Sequence, residues 1–431
     1  MKRIAIITLG CKVNTFESEA ILKLFLEDGY VQVEEKEIAD VYVVNTCTVT
    51  NTGDSKSRQM IRRCHKLNAS SIICVVGCYS QIDSETVSQI EGVSIVLGTR
   101  YRNKLVEYVH EFEETHHQIV VVDDVMKLHE FEDLNFNMYT SNTRAFLKIQ
   151  DGCNNFCTYC IIPYARGRMR SRNKDSVLHQ ARELVNHGYK EIVLTGIHTA
   201  GYGEDLENYS FYDLLCDLVK IEGLQRLRIS SIEMSQVSDE IITLIGHSKV
   251  IVDHLHIPIQ SGCDEILKKM NRHYTTKEFE EKYFKLKEAL PNINITTDVI
   301  VGFPTETDQN FEDTYNWIKK LHINQLHVFP YSQRTGTPAA KMLQVDGNIK
   351  KQRVNRLIQL SNELLNEYAE SFIGKTLEVL IEEKQDNYMK GHASNYLTVL
   401  CDPSLNSGDI VRVKIIENNQ GILKGIIDEK N

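Results

Sequence analysis

The sequence has no long hydrophobic run, and it contains only 7 prolines and a single tryptophan among 431 residues. No apolar segment approaches the roughly 20 residues of a membrane-spanning helix, so we expect no membrane partner. The first residues, MKRIAIITLG, include a basic pair, but the apolar stretch is short and no small-residue cleavage site follows. This pattern favours a first β-strand over a signal peptide and predicts a cytoplasmic protein.

An excess of positive charge is also absent, because the formal net charge is −10. This value argues against a protein covered with nucleic-acid-binding surface. Three local groups of basic residues nevertheless occur, and each is as typical of a solvated face as of a contact with RNA phosphates. The groups are Arg58, Arg62, Arg63 and Lys66, then Arg166, Arg168, Arg170 and Arg172, then Lys350, Lys351, Arg353 and Arg356.

Alternating strand and helix patterns predict two α/β domains. Short Val/Ile runs, each followed by a helical stretch, indicate a doubly wound parallel α/β domain over residues 1–112. Residues 113–142 lose this periodicity and are interpreted as a connecting segment. Six further strand–helix repeats, with the helical stretch after them, predict a closed or partial β/α barrel over residues 143–370.

The pattern changes again in residues 371–431, where glycines separate segments that alternate as strands do. Four strands are predicted there, and together they indicate a small all-β barrel. Their sequences are TLEVLIEE, YLTVLC, DIVRVKIIE and GILKGII.

The 11 cysteines, in a chain without a secretory signal, favour metal ligation over a disulfide framework. Cys153, Cys157 and Cys160, here the first triad, form C-x-x-x-C-x-x-C in the loop after the first barrel strand. Three such thiolates can hold one face of a [4Fe-4S] cluster and leave one iron open for a ligand. A zinc site would need a fourth Cys or His at similarly short spacing, so the motif predicts an iron–sulfur centre at the carboxyl end of the barrel.

Cys11, Cys47 and Cys78, here the second triad, each follow a predicted strand of the first domain. Because doubly wound sheets bind ligands at the carboxyl ends of their strands, these thiols are expected to converge on a second cluster. The alternative, buried core cysteines, would place them inside the strands. The other cysteines are interpreted as non-ligands, namely Cys64, Cys74, Cys216, Cys401 and, although it follows a barrel strand, Cys263.

These motifs resemble those of the radical S-adenosylmethionine methylthiotransferases over nearly the whole chain. An aromatic residue before the last motif cysteine, here Tyr159, is part of the signature of radical S-adenosylmethionine enzymes. The GC, NTC and GC motifs of the second triad and the run KIQDGCNNFCTYCIIPYARGRMRSR are more specific. The C-terminal barrel is similar to a TRAM domain, an RNA-binding module of this family.

The resemblance implies two [4Fe-4S] clusters and S-adenosylmethionine as cofactors. The cluster at the first triad would bind S-adenosylmethionine and cleave it to methionine and a deoxyadenosyl radical. The cluster at the second triad would carry the sulfur that is methylated and inserted. The implied partners are the anticodon loop of a tRNA, with Arg166, Arg168, Arg170 and Arg172 as candidate contacts, and an electron donor such as flavodoxin or ferredoxin.

No catalytic side chain beyond the cluster cysteines is assigned. Positions that match cofactor contacts of the family lie at the ends of barrel strands, where loop capping or turn formation is the alternative role. These candidate cofactor-binding residues are Tyr159, Thr195, Gly196, Ser231, Glu233, Gln260, Asp298, Gly302 and Glu306.

The segment GCKVN at the first cysteine resembles that of the threonylcarbamoyladenosine tRNA methylthiotransferases. Such an enzyme would convert N6-threonylcarbamoyladenosine at position 37 of tRNA to its 2-methylthio form. The nearest alternatives are the same chemistry on isopentenyladenosine in tRNA or on an aspartate of a ribosomal protein. Alternatives of other classes are a non-catalytic two-cluster electron carrier that binds RNA and a structural zinc protein.

Overall fold

The computed structural model describes residues 1–134, 136 and 143–428. The first domain is a six-stranded, all-parallel sheet covered by helices on both faces. Its strands are β1 (Arg3–Thr8), β2 (Val31–Gln32), β3 (Val41–Thr46), β4 (Ile72–Gly77), β5 (Val93–Leu97) and β6 (Ile119–Val121). Its helices are α1 (Lys12–Glu27), α2 (Asn51–Leu67), α3 (Cys78–Ile82), α4 (Ser84–Ser88) and α5 (Leu105–Thr115).

The strand order β2-β1-β3-β4-β5-β6 has its topological switch between β1 and β3. Ligands bind such sheets beside the carboxyl ends of the strands at this switch. Every residue of β3 and of β4 is buried, which explains their continuous apolar sequences. The sheet continues to β6, so the domain runs past the predicted boundary at residue 112, because β6 is too short and too exposed to give a clear apolar signal.

The second domain contains the predicted strand–helix repeats. Its strands are β7 (Ala145–Lys148), β8 (Gln150–Asp151), β9 (Arg170–Ser171), β10 (Glu191–Thr195), β11 (Arg226–Ile229), β12 (His254–His256), β13 (Asn294–Val301) and β14 (Gln325–Pro330). Its helices are α6 (Ile162–Arg166), α7 (Lys174–Asn186), α8 (Phe211–Leu218), α9 (Asp239–His247), α10 (Asp264–Lys269), α11 (Thr276–Ala289), α12 (Asp308–Leu321) and α13 (Gly347–Glu370).

This domain is a partial barrel. The parallel sheets β11-β10-β7 and β12-β13-β14 are joined by a bridge between Leu227 and Ile251, whereas the described residues show no pairing between β7 and β14. Helix α1 of the first domain packs against the edge strand β7. The first domain therefore lies against the β7 edge of the partial barrel.

The third domain is a closed barrel with the order β15-β16-β17-β19-β18. It has one strand more than predicted, because β16 is polar and contains Gly391, which looks like a break in the sequence. A Cβ on Gly391 would lie 2.2 Å from the carbonyl oxygen of Leu380, so this glycine allows close strand contact. The strands are β15 (Thr376–Gln385), β16 (Tyr388–Ala393), β17 (Thr398–Cys401), β18 (Ile410–Asn419) and β19 (Ile422–Ile427).

The turn after β16 attaches the small barrel to strands β11 and β13 of the β/α barrel. Arg228 donates one hydrogen bond to the carbonyl of Ser394 at 3.1 Å, and Asn294 donates one to that of Asn395 at 2.8 Å. The predicted fold class is confirmed in all three domains, and the small barrel is consistent with a TRAM-like domain. No helix in the described parts of the chain is long and apolar enough to cross a bilayer.

Candidate active site

The first triad lies in the loop between β8 and α6, beyond the carboxyl end of β7. Cys157 is buried, and Cys153 and Cys160 are half-buried. The three thiols are close enough to interact electrostatically, and burial raises the pKa of Cys153 and of Cys160 to about 12. An iron ligand must be a thiolate. A buried thiol ionises readily only when a cation stabilises the thiolate, and a bound iron would be such a cation.

Arg272, which no sequence motif indicates, lies beside this triad. Its Nη1 is 3.7 Å from the Sγ of Cys157 and donates a 2.7 Å hydrogen bond to Glu233. Glu233 also accepts a hydrogen bond from Asn155 within the cysteine loop. The sequence predicts Glu233 as a direct cofactor contact. In the structure its carboxylate binds Asn155 of the cysteine loop and Arg272 beside that loop.

The second triad lies at the carboxyl ends of β1, β3 and β4, at the switch point of the sheet. The two GC motifs have the same backbone geometry, since Gly10 and Gly77 both have positive φ angles, of 109° and 103°. A Cβ on Gly10 would lie 2.8 Å from the Cβ of Cys47, so the first two cysteine loops are in direct contact. Glycine at this position is required for that approach.

Asn14, the last residue of GCKVN, holds the same two loops together. Its side-chain amide donates hydrogen bonds to the carbonyls of Leu9 at 2.7 Å and Thr46 at 3.0 Å. Its Oδ1 accepts a hydrogen bond from Arg166 at 2.9 Å. The position of Cys11 relative to Cys47 is therefore fixed by a buried network.

Arg166 connects the two triads. It ends helix α6, which follows the first triad, and its Nε lies 3.2 Å from the Sγ of Cys78 in the second. Its guanidinium also binds the buried carboxylates of Glu17 and Asp151 at 2.8 Å and 3.2 Å. The two domains are therefore joined by an ion network beside the second triad.

The interpretation of the arginine run after the first triad as an RNA-binding surface is wrong for three of its four members. Arg166 and Arg172 have no exposed surface and Arg170 is 5 % exposed. Arg170 donates to backbone carbonyls, and Arg172 binds Asp133. Only Arg168 of this run is exposed, with its guanidinium over the ring of Phe156.

Both triads fit an iron–sulfur cluster by their donor chemistry. The described residues contain no group of three His, Cys, Asp or Glu side chains placed to hold one metal ion. Cysteines of a cubane cluster bind different irons, so they do not need to converge on a single point. Each triad offers three thiols and an arginine near one sulfur, which suits an anionic cluster.

A cavity of about 230 Å³ lies between the two triads. Cys160 and Tyr159 line it from the first triad, and Val49 and Thr50, just after Cys47, line it from the second. Asp298 gives it a carboxylate. The remaining lining residues are Ile161, Ile162, Gln260, Ile300, Phe329, Pro330, Tyr331 and Ser332.

The structure brings Tyr159, Gln260 and Asp298 together in this cavity, whereas the other predicted contacts do not line it. Gln260 has a left-handed backbone, with φ of 61°, which is strained for a residue with a side chain and is typical of functional sites. Thr195 is buried at the end of β10, and Gly196 and Ser231 lie in the loops after β10 and β11.

The prediction of Glu306 as a cofactor contact is corrected. Its buried carboxylate accepts a hydrogen bond from the backbone of Gly302 at 2.7 Å and pairs with Arg353 at 2.6 Å. These contacts fix the turn after β13, where Gly302 has φ of 65°. Because Arg353 is bound in this way, it is not available as an RNA contact of the third basic group. Arg356 of the same group pairs with Glu312.

The positions of the other cysteines agree with their interpretation as non-ligands. Cys64, Cys74 and Cys401 are buried in apolar cores, and burial raises the pKa of each thiol. Cys216 is half-buried in α8. Cys263 is buried at the start of α10 and accepts a hydrogen bond from Asn310.

Two family models match the chain. Residues 147–318 match the radical SAM superfamily, and residues 3–98 match the uncharacterized protein family UPF0004. The first match covers the first triad and most of the partial barrel, and the second covers the whole second triad.

Curated relatives match over the full chain. Threonylcarbamoyladenosine tRNA methylthiotransferase MtaB of Bacillus subtilis is 50 % identical, with 100 % of this chain and 98 % of that protein covered. A tRNA-2-methylthio-N(6)-dimethylallyladenosine synthase of Clostridium botulinum is 36 % identical, with 97 % and 95 % covered.

A solved structure supports the fold. The radical S-adenosylmethionine methyltransferase TsrM from Kitasatospora setae, with cobalamin and a [4Fe-4S] cluster bound, aligns with a TM-score of 0.59 and 14 % identity. The alignment covers 79 % of this chain and 77 % of that chain. At this identity the similarity concerns the fold alone.

Proposed function

The chain belongs to the radical S-adenosylmethionine tRNA methylthiotransferases, enzymes that transfer a methylthio group, and we propose that its substrate is N6-threonylcarbamoyladenosine at position 37 of tRNA, modified at C2. The observation that carries this proposal is the cavity between the two triads, lined by Cys160 on one side and by Val49 and Thr50 on the other. A nucleobase held there would be close to both centres. The relative with 50 % identity supports the threonylcarbamoyl substrate.

The radical S-adenosylmethionine family implies one [4Fe-4S] cluster and S-adenosylmethionine, which the first triad and the adjoining cavity would hold. We extend this to a second cluster held by Cys11, Cys47 and Cys78. Together these groups would supply radical chemistry at an unactivated C–H bond and the sulfur atom, neither of which a side-chain acid or base can supply.

The protein's own residues would bind and orient the reactants. Asp298 and Gln260 place an acceptor and an amide in the cavity, and Tyr159 lines it beside Cys160. Ile161, Ile162 and Ile300 make part of the wall apolar, which limits access of water. Arg272 and Arg166 would each donate to a sulfur of one triad, as their distances of 3.7 Å and 3.2 Å allow.

The basic face of α2 supports RNA binding more strongly than the arginine run. Helix α2 starts beside Thr50, at the cavity wall, and its 17 residues extend about 25 Å from it. Its only acidic residue, Asp54, is bound to Arg334 at 2.7 Å. Lys56, Arg62 and Lys66 are exposed.

A groove of about 570 Å³ runs along this face between α2 and α4. Basic residues line one wall, while Glu91 is its only acidic lining residue. RNA phosphates would bind such a surface through charge, without reading sequence. The lining residues are Arg58, Arg62, His65, Lys66, Thr86, Gln89, Ile90 and Glu91.

The remaining parts of the proposal follow from the reaction. A reductive cleavage of S-adenosylmethionine needs an electron donor, and flavodoxin or ferredoxin has the required chemistry. An anticodon loop is a suitable substrate because an unpaired base can be turned outward at lower cost than a base in a duplex. A tRNA substrate also supports a cytoplasmic location for the protein.

The test is mass spectrometry of tRNA nucleosides from cells with and without the gene. We expect 2-methylthio-threonylcarbamoyladenosine to disappear on deletion and to return with the wild-type gene but not with a Cys153→Ala variant. Unchanged levels in a strain without a redundant enzyme would contradict the proposal. Loss of the 2-methylthio form of isopentenyladenosine instead would favour the dimethylallyl substrate of the Clostridium relative.

A further inference from the structure

Lys12, which directly follows Cys11, places a positive charge inside the partial barrel. Its main electrostatic neighbours are Tyr396, Arg228 and Arg144, so its side chain reaches toward the barrel strands and away from the first domain's own sheet. It also lies near His254 of β12 and His327 of β14. Lys12 is half-buried, and within the described chain it has no hydrogen bond or ion pair to a carboxylate.

The carboxylate among these neighbours is Glu191, and it is already bound. Arg228 donates to it at 2.8 Å, and Arg226 lies 3.6 Å away. Arg144 is paired with Glu382 of the small barrel at 3.2 Å. The arginines of this region therefore have carboxylates close by, Asp253 among them, whereas Lys12 forms no ion pair with a carboxylate in the described residues.

On one side of Lys12 lies Tyr396 of the small barrel. The ring of Tyr396 stacks on His254 and on His392, each at 4.8 Å, and Arg228 lies over the same ring at 4.8 Å. Tyr396 holds this position with a left-handed backbone, with φ of 68°. Such strain is tolerated where the surrounding contacts fix the residue.

On the other side, paired residues of β13 and β14 lead from His327, opposite Asp298, to Phe329, opposite Ile300, in the wall of the cavity between the triads. His256 lies 3.2 Å from Asp298, a residue of the cavity wall, and its ring is 5.5 Å from that of His327. His327 and Phe329 are both exposed in the edge strand β14, and Phe329 lines the cavity. A base in the cavity could therefore extend a substituent toward Lys12.

We propose that Lys12 is a specificity-determining residue that binds the carboxylate of the threonylcarbamoyl group of the substrate. The inference rests on the proposed function, and it adds the group by which that substrate would be recognised. Charged groups away from bulk water are normally paired, so a half-buried ammonium without an acidic partner is suited to an anionic ligand. The isopentenyl group has no charge and gains nothing from this contact.

The test compares reconstituted wild-type enzyme with Lys12→Met and Lys12→Arg variants. The substrates are anticodon stem-loop RNAs with threonylcarbamoyladenosine, its methyl ester or isopentenyladenosine at the target position. We expect Lys12→Met to raise KM for the acid by about 10- to 100-fold, the effect of losing a charged hydrogen bond, with no change for the ester. Lys12→Arg should keep the preference for the acid over the ester.

Binding of the same RNAs to the protein without clusters, followed by fluorescence anisotropy, gives a readout that does not depend on turnover. Lys36→Met, which removes an exposed lysine of the same domain, is the matched control. Wild-type enzyme that modifies the acid and the ester equally well, or a Lys12→Met variant with unchanged KM and affinity for the acid, would overturn the inference and leave the proposed function intact. Wild-type enzyme that fails to modify threonylcarbamoyladenosine would instead overturn the proposed function.

Discussion

Arg166 donates a hydrogen bond from its Nε to the Sγ of Cys78 over 3.2 Å, while its other nitrogens bind Glu17, Asp151 and Asn14. One side chain thus links the helix after the first triad to a cysteine of the second. Because the group is fully buried, its role is to hold the two domains and their cysteines in register.

Replacing Arg166 by Met should lower the stability of the protein by about 3–5 kcal/mol, because Glu17 and Asp151 lose a buried partner. The measurement is thermal denaturation of the anaerobically purified protein, together with its iron content. Arg168→Met is the matched control, since Arg168 is exposed and its replacement should change stability by less than about 0.5 kcal/mol. Weaker RNA binding by Arg166→Met with unchanged stability would show that this arginine contacts RNA after all.

The two-cluster proposal makes a separate prediction about iron. Changing the first triad to alanine should remove about four irons per chain, and changing the second triad should remove about four others. Iron and sulfide counts after anaerobic reconstitution check this. A triple variant of the non-ligand cysteines Cys64, Cys216 and Cys401 should keep both clusters. If a second-triad variant kept the full iron content of the wild type, the proposal of a second cluster would be wrong.

The cysteine sites were predictable from sequence because strand ends can be read from apolar runs. Cys11, Cys47 and Cys78 each follow such a run, and the topology of a parallel sheet brings the carboxyl ends of these strands together. The resemblance to a known family then supplied the cofactors.

The roles of charged residues were harder to predict, because they depend on which partner the fold brings close. Arg166 and Glu17 are far apart in sequence, yet they meet at 2.8 Å, so nothing local distinguishes Arg166 from the exposed Arg168. Lys12 and His327 are close enough to interact electrostatically for the same reason. In these cases the tertiary contact, and not the residue type, decides between a buried ion pair and a free surface.

Glu191 should make stability depend on pH in the acid range. Burial opposes ionisation, but Arg228 and its neighbours outweigh it and lower the pKa of Glu191 to about 2, from an ordinary value of 4.5. The unfolded chain therefore binds a proton that the folded chain does not. The stabilisation is complete above about pH 4.5 and is lost as the pH falls toward 2, with a total of about 3 kcal/mol.

Thermal denaturation between pH 6 and pH 3 checks this expectation. Glu191→Gln should be less stable than wild type at pH 6, and the difference should shrink as the pH falls. Glu288→Gln, an exposed carboxylate of the same domain, is the control and should follow the wild-type curve. A constant difference between Glu191→Gln and wild type across this range would contradict the assigned pKa.

The basic face of α2 predicts a specific change in the salt dependence of RNA binding. Arg62 and Lys66 lie four residues apart on one exposed side of the helix, so an RNA backbone along this face would contact both. Replacing both by Gln should weaken binding of an anticodon stem-loop. It should also reduce the slope of log affinity against log salt by about 1 to 2, because binding releases fewer counterions when fewer phosphates are contacted.

Fluorescence anisotropy at several salt concentrations measures this slope. Lys277→Gln with Lys319→Gln, which removes two exposed lysines from α11 and α12, is the control with the same change in net charge. If the two double variants lose affinity equally, the effect comes from net charge and α2 is not the contact surface. A reduced slope for the α2 variant alone would locate the phosphates along the helix that starts at the cavity wall.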